Sequence, residues 1–288
     1  MGTTHAAPRP GEEGRAGDGV GVGGDVHEAR VVGVQRAEPR GAVAGLGLVE
    51  GPALRFYPRG AERPKEDLGF YQQVYFHKLG TDTKDDTYAI GKDFPRIAEI
   101  NLKTSANGKY VLCTVGNGDG GEYEHHLLTL AGGSWARITK FADHLTHGVF
   151  GLDGALYIVS RDGAPRGKLL RLPAGSSQLA AAKVVVPQSE AVIEHVLVTK
   201  GRLYVQDLLG GVSQLRSFDL NGGAPSLVPV MPVSTVSEIT RGRDEEILFR
   251  NVTFVEPAAW YRYAPAGGKG AGKVQKTALV VTSPTTCT

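Results

Sequence analysis

The residues best equipped for chemistry lie between positions 117 and 167. Asn117-Gly-Asp-Gly-Gly-Glu122 combines polar groups with glycines that let a partner approach the backbone closely. Glu122, Glu124, His125 and His126 offer the oxygens and nitrogens of a metal site. Adjacent side chains on a strand point to opposite faces, however, so His125 and His126 converge only if a bulge intervenes. No metal is expected. His125, His126, His144, His147 and Asp153 could each be paired on paper with a serine as base and orienting acid, but a triad is defined by spatial geometry. Its nucleophile would stand on a strand-to-helix elbow of the form GxSxG, which is absent. Gly211-Val-Ser213-Gln-Leu comes nearest, lacks the closing glycine, and reads as a serine beside a β turn. No catalytic residue is assigned.

Two glycine-rich stretches imitate nucleotide loops. Gly19-Val-Gly-Val-Gly-Gly24 fits GxGxxG spacing but has no strand before it and no helix after it. Gly267-Gly-Lys-Gly-Ala-Gly-Lys273 is followed by Val274, where a phosphate loop needs a magnesium-binding hydroxyl. The first is a coincidence of composition and the second a solvated hairpin loop, so no cofactor is expected. Trp135, Trp260, Tyr261 and Tyr263 fall at strand positions and are read as packing residues.

The elements that must hold these residues recur. Asn107-Gly-Lys-Tyr-Val, Asp153-Gly-Ala-Leu-Tyr and Lys200-Gly-Arg-Leu-Tyr each join a turn to a strand, at intervals of 46 and 47 residues, and Arg243-Asp-Glu-Glu-Ile-Leu-Phe follows about one period later. Four strands of about five residues with their turns need roughly 40 to 50 residues, the length of a propeller blade. Alternation and β-branched residues place the first blade at Ala98–Leu102, Tyr110–Val115, His126–Leu130 and Trp135–Ile138. The second takes Val149–Phe150, Ala155–Val159, Lys168–Leu172 and Lys183–Val186; the third takes Val192–Val198, Leu203–Asp207, Gln214–Asp219 and Ser226–Val228. A fourth takes Val236–Ile239, Glu246–Arg250, Ala259–Tyr263 and Lys276–Val281. Short strands at Val74–Lys78 and Thr87–Ile90 add a half-blade before these. The expected fold is all-β, a propeller of about four to five four-stranded blades.

Residues 1–55 differ in character. Glycine is dense, lysine is absent before Lys65 and no aromatic precedes Phe56, so this stretch reads as a disordered Gly/Arg-rich tail ahead of a partial propeller over 56–284, with a truncated C-terminus expected at 285–288. The 288 residues carry 32 basic and 30 acidic side chains, a net charge of +2 that attracts neither nucleic acid nor an anionic membrane. Two cysteines, Cys113 and Cys287, outline no disulfide framework. No apolar run reaches the ~18 residues of a membrane span, and the expectation is a soluble cytoplasmic protein, or a periplasmic one if the true N-terminus is missing.

Phe70-Tyr-Gln-Gln-Val-Tyr-Phe-His-Lys-Leu-Gly-Thr81, Asp93-Phe-Pro-Arg-Ile-Ala-Glu-Ile100, Asn117-Gly-Asp-Gly-Gly121, Ser160-Arg-Asp-Gly-Ala-Pro-Arg-Gly-Lys168 and Thr277-Ala-Leu-Val-Val-Thr-Ser-Pro284 together resemble the propeller of prolyl oligopeptidase-family serine peptidases. The ordered match runs from about Tyr57 to Pro284. It implies a seven-bladed propeller capping an α/β-hydrolase domain, with peptides as substrates. Relative to that family the blade count is incomplete, and the catalytic serine, aspartate and histidine match no position here. The resemblance therefore implies the gating, cleft-covering portion of such a peptidase, inactive when isolated, whose partners are the hydrolase domain and peptide substrates. It also suggests roles in substrate admission or at the domain interface for Asn117, Asp119 and Glu122, and for Arg161 and Arg166. The alternatives are a non-catalytic peptide- or protein-binding propeller and a truncated product whose open sheet edges favour aggregation.

Overall fold

The computed structural model describes residues 53–56, 63–67, 69–78, 81–265 and 272–277. Every sheet in it is an antiparallel meander in chain order. A three-stranded sheet comes first: β1 (Ala53–Phe56), β2 (Val74–His77) and β3 (Thr87–Ile90). Four four-stranded blades follow. Blade 1 holds β4 (Ala98–Thr104), β5 (Tyr110–Asn117), β6 (Tyr123–Thr129) and β7 (Ser134–Arg137). Blade 2 holds β8 (Leu145–Phe150), β9 (Leu156–Ser160), β10 (Lys168–Leu172) and β11 (Lys183–Val186). Blade 3 holds β12 (Val192–Val198), β13 (Arg202–Leu209), β14 (Val212–Asp219) and β15 (Ser226–Val228). Blade 4 holds β16 (Ser234–Arg241), β17 (Ile247–Thr253), β18 (Ala259–Ala264) and β19 (Lys273–Lys276). Helical structure among the described residues is limited to single 3-10 turns.

The two-residue period of each strand explains why the blades stack. All five residues of β9 are buried, but they face two different neighbours. Leu156 and Ile158 pack with Leu112, Leu127 and Ile138 of blade 1, whereas Tyr157 and Val159 pack with Ile193, Leu203, Val205 and Phe218 of blade 3. In β13, Leu203 and Val205 turn back to blade 2, while Tyr204 joins Val236, Ile247, Phe249 and Tyr263 of blade 4. A single sheet has two apolar faces, and only neighbouring sheets can cover both. Blade 1 meets the first sheet through Cys113 and Val115, which pack with Phe94 and Ile90.

Several boundaries differ from the sequence reading: β6, expected at His126–Leu130, starts at Tyr123, β8, expected at Val149–Phe150, starts at Leu145, and both ends of the fold shift as well. Residues 53–55, assigned to the tail, include the start of β1, which pairs with β2 through Ala53↔His77 and Phe56↔Val74. The last strand, expected at Lys276–Val281, is β19, paired with β18 from Ala264↔Lys273 to Tyr261↔Lys276. Only its final residue falls inside the expected range, because Lys273-Val-Gln-Lys276 alternates as well as the more apolar residues after it; residues 278–281 lie outside those described. The remainder of the tail, the first nucleotide-like stretch, most of the second and Cys287 also lie outside them.

The first strands of successive blades lie side by side, β8 against β12 and β12 against β16, so they line the axis of the assembly. Each carries a register shift: between Leu145 and Gly148 in β8, Ile193 and His195 in β12, and Val236 and Glu238 in β16. A bulge frees a carbonyl from the ladder and turns side chains that alternation would have hidden. Two of these carbonyls are taken by the preceding blade. His125 in β6 reaches the Thr146 oxygen at 2.8 Å, and Gln206 in β13 donates to the Val236 oxygen at 2.7 Å.

Candidate functional site

Strand alternation sorts the loops by end. In each blade the first strand starts at one end of the axis and the second returns to it, so the turns between second and third strands gather there with the starts of the first strands. Asn117–Glu122, Ser160–Lys168, Leu209–Val212 and Thr253–Ala259 are those turns. The family-implied residues Asn117, Asp119, Glu122, Arg161 and Arg166 therefore share one end of the propeller.

The first loop is closed on itself. A 3-10 turn over Gly118–Gly120 is followed by Gly121 in the left-handed region, and the Asn117 amide N–H donates to the Glu122 carbonyl at 3.1 Å. The Asn117 Nδ2 donates to Glu122 Oε2 at 3.3 Å, which leaves Asp119 as the exposed acid at the tip. Gly118 has φ +57, a conformation that favours glycine, whereas the Ile97 Cδ1 that a Cβ would meet at 2.7 Å is the end of an exposed side chain that can swing aside. The second loop is anchored to its neighbours: the Arg161 N–H donates to the His144 carbonyl, Arg166 N–H to Gln188 Oε1, and Ile193 N–H to the Arg166 carbonyl. Both arginine side chains are exposed.

Between these loops, at the axis, stand residues that the sequence reading did not bring together. The His147 ring lies 5.7 Å from the Tyr123 ring and stacks on His195 at 6.3 Å and 25°. His147 and His195 sit near the bulges of β8 and β12, about one blade period apart, and that spacing was the available signal. Lys103 in β4 donates its ammonium to the Gly148 carbonyl at 3.2 Å, joining blade 1 to blade 2. Gly148 lets blade 1 pack closely at this point, since a Cβ there would lie 2.8 Å from Leu112 Cδ2. At the opposite end of these strands, Arg241 donates from Nε to Val198 O at 2.6 Å and from Nη2 to Phe150 O at 3.2 Å, so one guanidinium ties three blades.

Electrostatics separate structural from available groups. His125 is fully buried; Thr146 O can only accept, so Nε2 carries the proton and Nδ1 accepts from Thr139 Oγ1 at 2.8 Å. Burial pushes its pKa down to about 4. His126 faces the other way, 2.9 Å from Glu124 Oε1. The two histidines do not converge, and no group of three His, Cys, Asp or Glu able to hold a metal occurs among the described residues. His147 is solvent-accessible yet walled by protein, which lowers its pKa, with the positive charges of His195, Lys103 and Arg161 lowering it further. Lys103 is lowered by the same desolvation. Asp207 is buried; its bidentate pairing with Arg216, at 2.5 and 2.9 Å, does not fully offset burial, and its pKa is raised.

The remaining sequence candidates take structural places. Ser213 is buried in β14, and its hydroxyl has no hydrogen-bond partner among the described residues, so no base activates it. Tyr261 stacks on Phe249 at 5.7 Å, Tyr263 meets Tyr204 edge-on at 6.2 Å, and Trp135 packs against the cluster of Phe94, Ala98, Cys113 and Val115. Asp153 bonds Arg171 at 2.8 Å, away from any histidine pairing.

Four-stranded meanders stacked face to face about an axis, with loops gathered at its mouth, define a β-propeller. Residues 55–275 match the model of the prolyl oligopeptidase N-terminal β-propeller domain, and the chain belongs to that family. Among solved structures, it resembles one from a study of two prolyl endopeptidases and their inter-domain dynamics in catalysis and specificity, at 20% identity and TM-score 0.67 over 77% of this chain and 32% of that one. Oligopeptidase B from Leishmania major is similar at 16% identity and TM-score 0.62, over 77% of this chain and 32% of that one. Prolyl oligopeptidase B from Galerina marginata matches at 14% identity and TM-score 0.61, again over 77% and 32%. The chain thus spans about a third of the length of these structures. No curated protein matches it.

Proposed function

We propose that this chain is the substrate-gating propeller portion of a prolyl oligopeptidase-like serine peptidase. In this reading the propeller covers a catalytic cleft and admits short or unfolded peptides, while an α/β-hydrolase domain outside this sequence cleaves the bond. The observation that carries it is the family match over residues 55–275, joined to the gathering of the loops bearing Asp119, Arg161 and Arg166 at one axial mouth. In this reading such a mouth, lined by polar loop residues that the blades hold in place, excludes folded proteins by size. The arrangement of Ser213 supports placing the nucleophile elsewhere.

The test has two arms. The purified chain is treated with a serine-directed covalent probe and a fluorogenic proline-containing peptide; neither labelling nor hydrolysis is expected. It is then added to a separately produced hydrolase domain of a prolyl oligopeptidase, where it should spare cleavage of the short peptide and suppress cleavage of a folded protein. Labelling of any serine in this chain, or unchanged cleavage of the folded protein when the two domains associate, would overturn the reading.

A further inference from the structure

We infer that the axial mouth carries an anion site, built by Lys103, His147, Arg161 and His195, that takes the C-terminal carboxylate of a peptide. The inference rests on the peptide-admitting role proposed above and specifies its chemistry.

Four basic side chains from three blades converge at the axis. The ammonium of Lys103 donates to the Gly148 carbonyl next to His147, and His147 stacks on His195. Arg161, in the loop that follows β9, is tied to the start of β8 by its N–H, which donates to the His144 carbonyl at 2.8 Å, and its charge lowers the pKa of His147. None of the four makes an ion pair with a carboxylate among the described residues. The acids on the elements packed against His147 are engaged elsewhere: Glu122 by Asn117, Glu124 by His126, and Glu194 by Gln206 at 3.3 Å. Tyr123, Glu99 of β4, Asp162 beside Arg161 and the neutral His125 are further titratable groups on these elements, and none of them figures among the charges acting on His147. Gathering like charges without a counterion is unfavourable, and a bound carboxylate relieves it. The Tyr123 ring beside the cluster supplies an apolar wall for the last side chain of a peptide, which inorganic phosphate would not use.

The free site holds the pKa of His147 down, and a carboxylate beside it would raise it. Binding therefore takes up a proton, is strongest below the free-state pKa and weakens as pH rises through the bound-state value.

Titration calorimetry on the full chain distinguishes the outcomes, using acetyl-Ala-Pro-Ala with a free carboxylate, its C-terminal amide, and inorganic phosphate. At about pH 5.5 the acid should bind at least about tenfold tighter than the amide and tighter than phosphate, and this margin should shrink at about pH 8. The double variant His147→Gln with His195→Gln should remove the pH dependence. Lys103→Met should weaken the acid at both pH values and leave the amide unchanged. The imidazole resonances of His147, followed by NMR, should titrate at higher pH with the acid bound. Equal binding of acid and amide, or binding independent of pH, would overturn the site; phosphate binding as tightly as the acid would overturn its assignment to peptides. Binding is read on this chain alone, so failure here and failure to restrain a hydrolase domain are separate results.

Discussion

The Nε2 proton of His125, in the third strand of blade 1, is donated across the blade boundary to the carbonyl of Thr146 at 2.8 Å. That carbonyl belongs to a bulge and has left its own ladder. The histidine must stay neutral to keep accepting from Thr139, and it stays neutral because burial lowers its pKa from 6.5 to about 4.

A depressed histidine pKa makes stability acid-sensitive. The neutral form is favoured in the folded state, so this contribution is complete above about pH 6.5 and is lost as pH falls towards 4, where the unfolded chain takes the proton first. Chemical denaturation should show stability dropping by about 2–3 kcal/mol over that window. His125→Gln, which can still donate to Thr146 but cannot titrate, should flatten the slope; His125→Leu should flatten it and lower stability at neutral pH by about 1–3 kcal/mol through the orphaned carbonyl. An unchanged slope in both variants would refute the assignment.

Gln206 repeats the device between blades 3 and 4. Its amide donates to the Val236 carbonyl at 2.7 Å and to Glu194 at 3.3 Å, both at bulges of axial strands. Gln206→Leu fills the same space and strands the Val236 carbonyl, and should cost about 1–3 kcal/mol in urea unfolding. Amide exchange should quicken first in β16 and β17, because the lost bond ties blade 4 to its neighbour.

The blades were legible in the sequence because their signal is local. A turn precedes each second strand, and an unbroken apolar run marks a strand whose two faces must both be buried, as Leu156, Tyr157, Ile158 and Val159 show. The assignment of His125 and His126 to opposite faces followed from the same rule. The axial cluster was not legible. His147 and His195 meet only because bulges turn them to the axis, and Lys103 reaches them from another blade. A bulge adds one residue to one strand and leaves no distinct residue type behind, so period-two reading passes over it. Asn117 and Glu122 were singled out for their polar groups in a glycine-rich loop, but their mutual hydrogen bond depends on a turn closed by Gly118 and Gly121.

Arg241 holds the far end of the axial strands through the carbonyls of Val198 and Phe150. Lysine has no planar fork with which to reach two carbonyls at once. Arg241→Lys should lower stability by about 1–2 kcal/mol, and Arg241→Met by about 2–3, because charged donors to carbonyls exceed neutral ones. Thermal unfolding checks both. Equal stability of all three proteins would mean that the blades are held at that end by apolar contact alone.

Cys113 gives a direct report on whether the first sheet and blade 1 open together. It is fully buried in β5, packed with Phe94, Ala98 and Val115, and its thiol is pushed up to about 12, first by burial and then by the Glu124 charge. Thiol reagents attack the thiolate, so the folded protein offers them almost no reactive form and no path of approach. In a Cys287→Ser background, labelling of Cys113 at neutral pH should be at least about a thousandfold slower than that of a free thiol and should accelerate with urea in step with the loss of blade 1. If labelling instead quickens at urea concentrations that leave the blade cores intact, the first sheet separates from blade 1 as an independent unit. If both change together, the face-to-face contact of Ile90 and Phe94 with Cys113 and Val115 is part of one cooperative core.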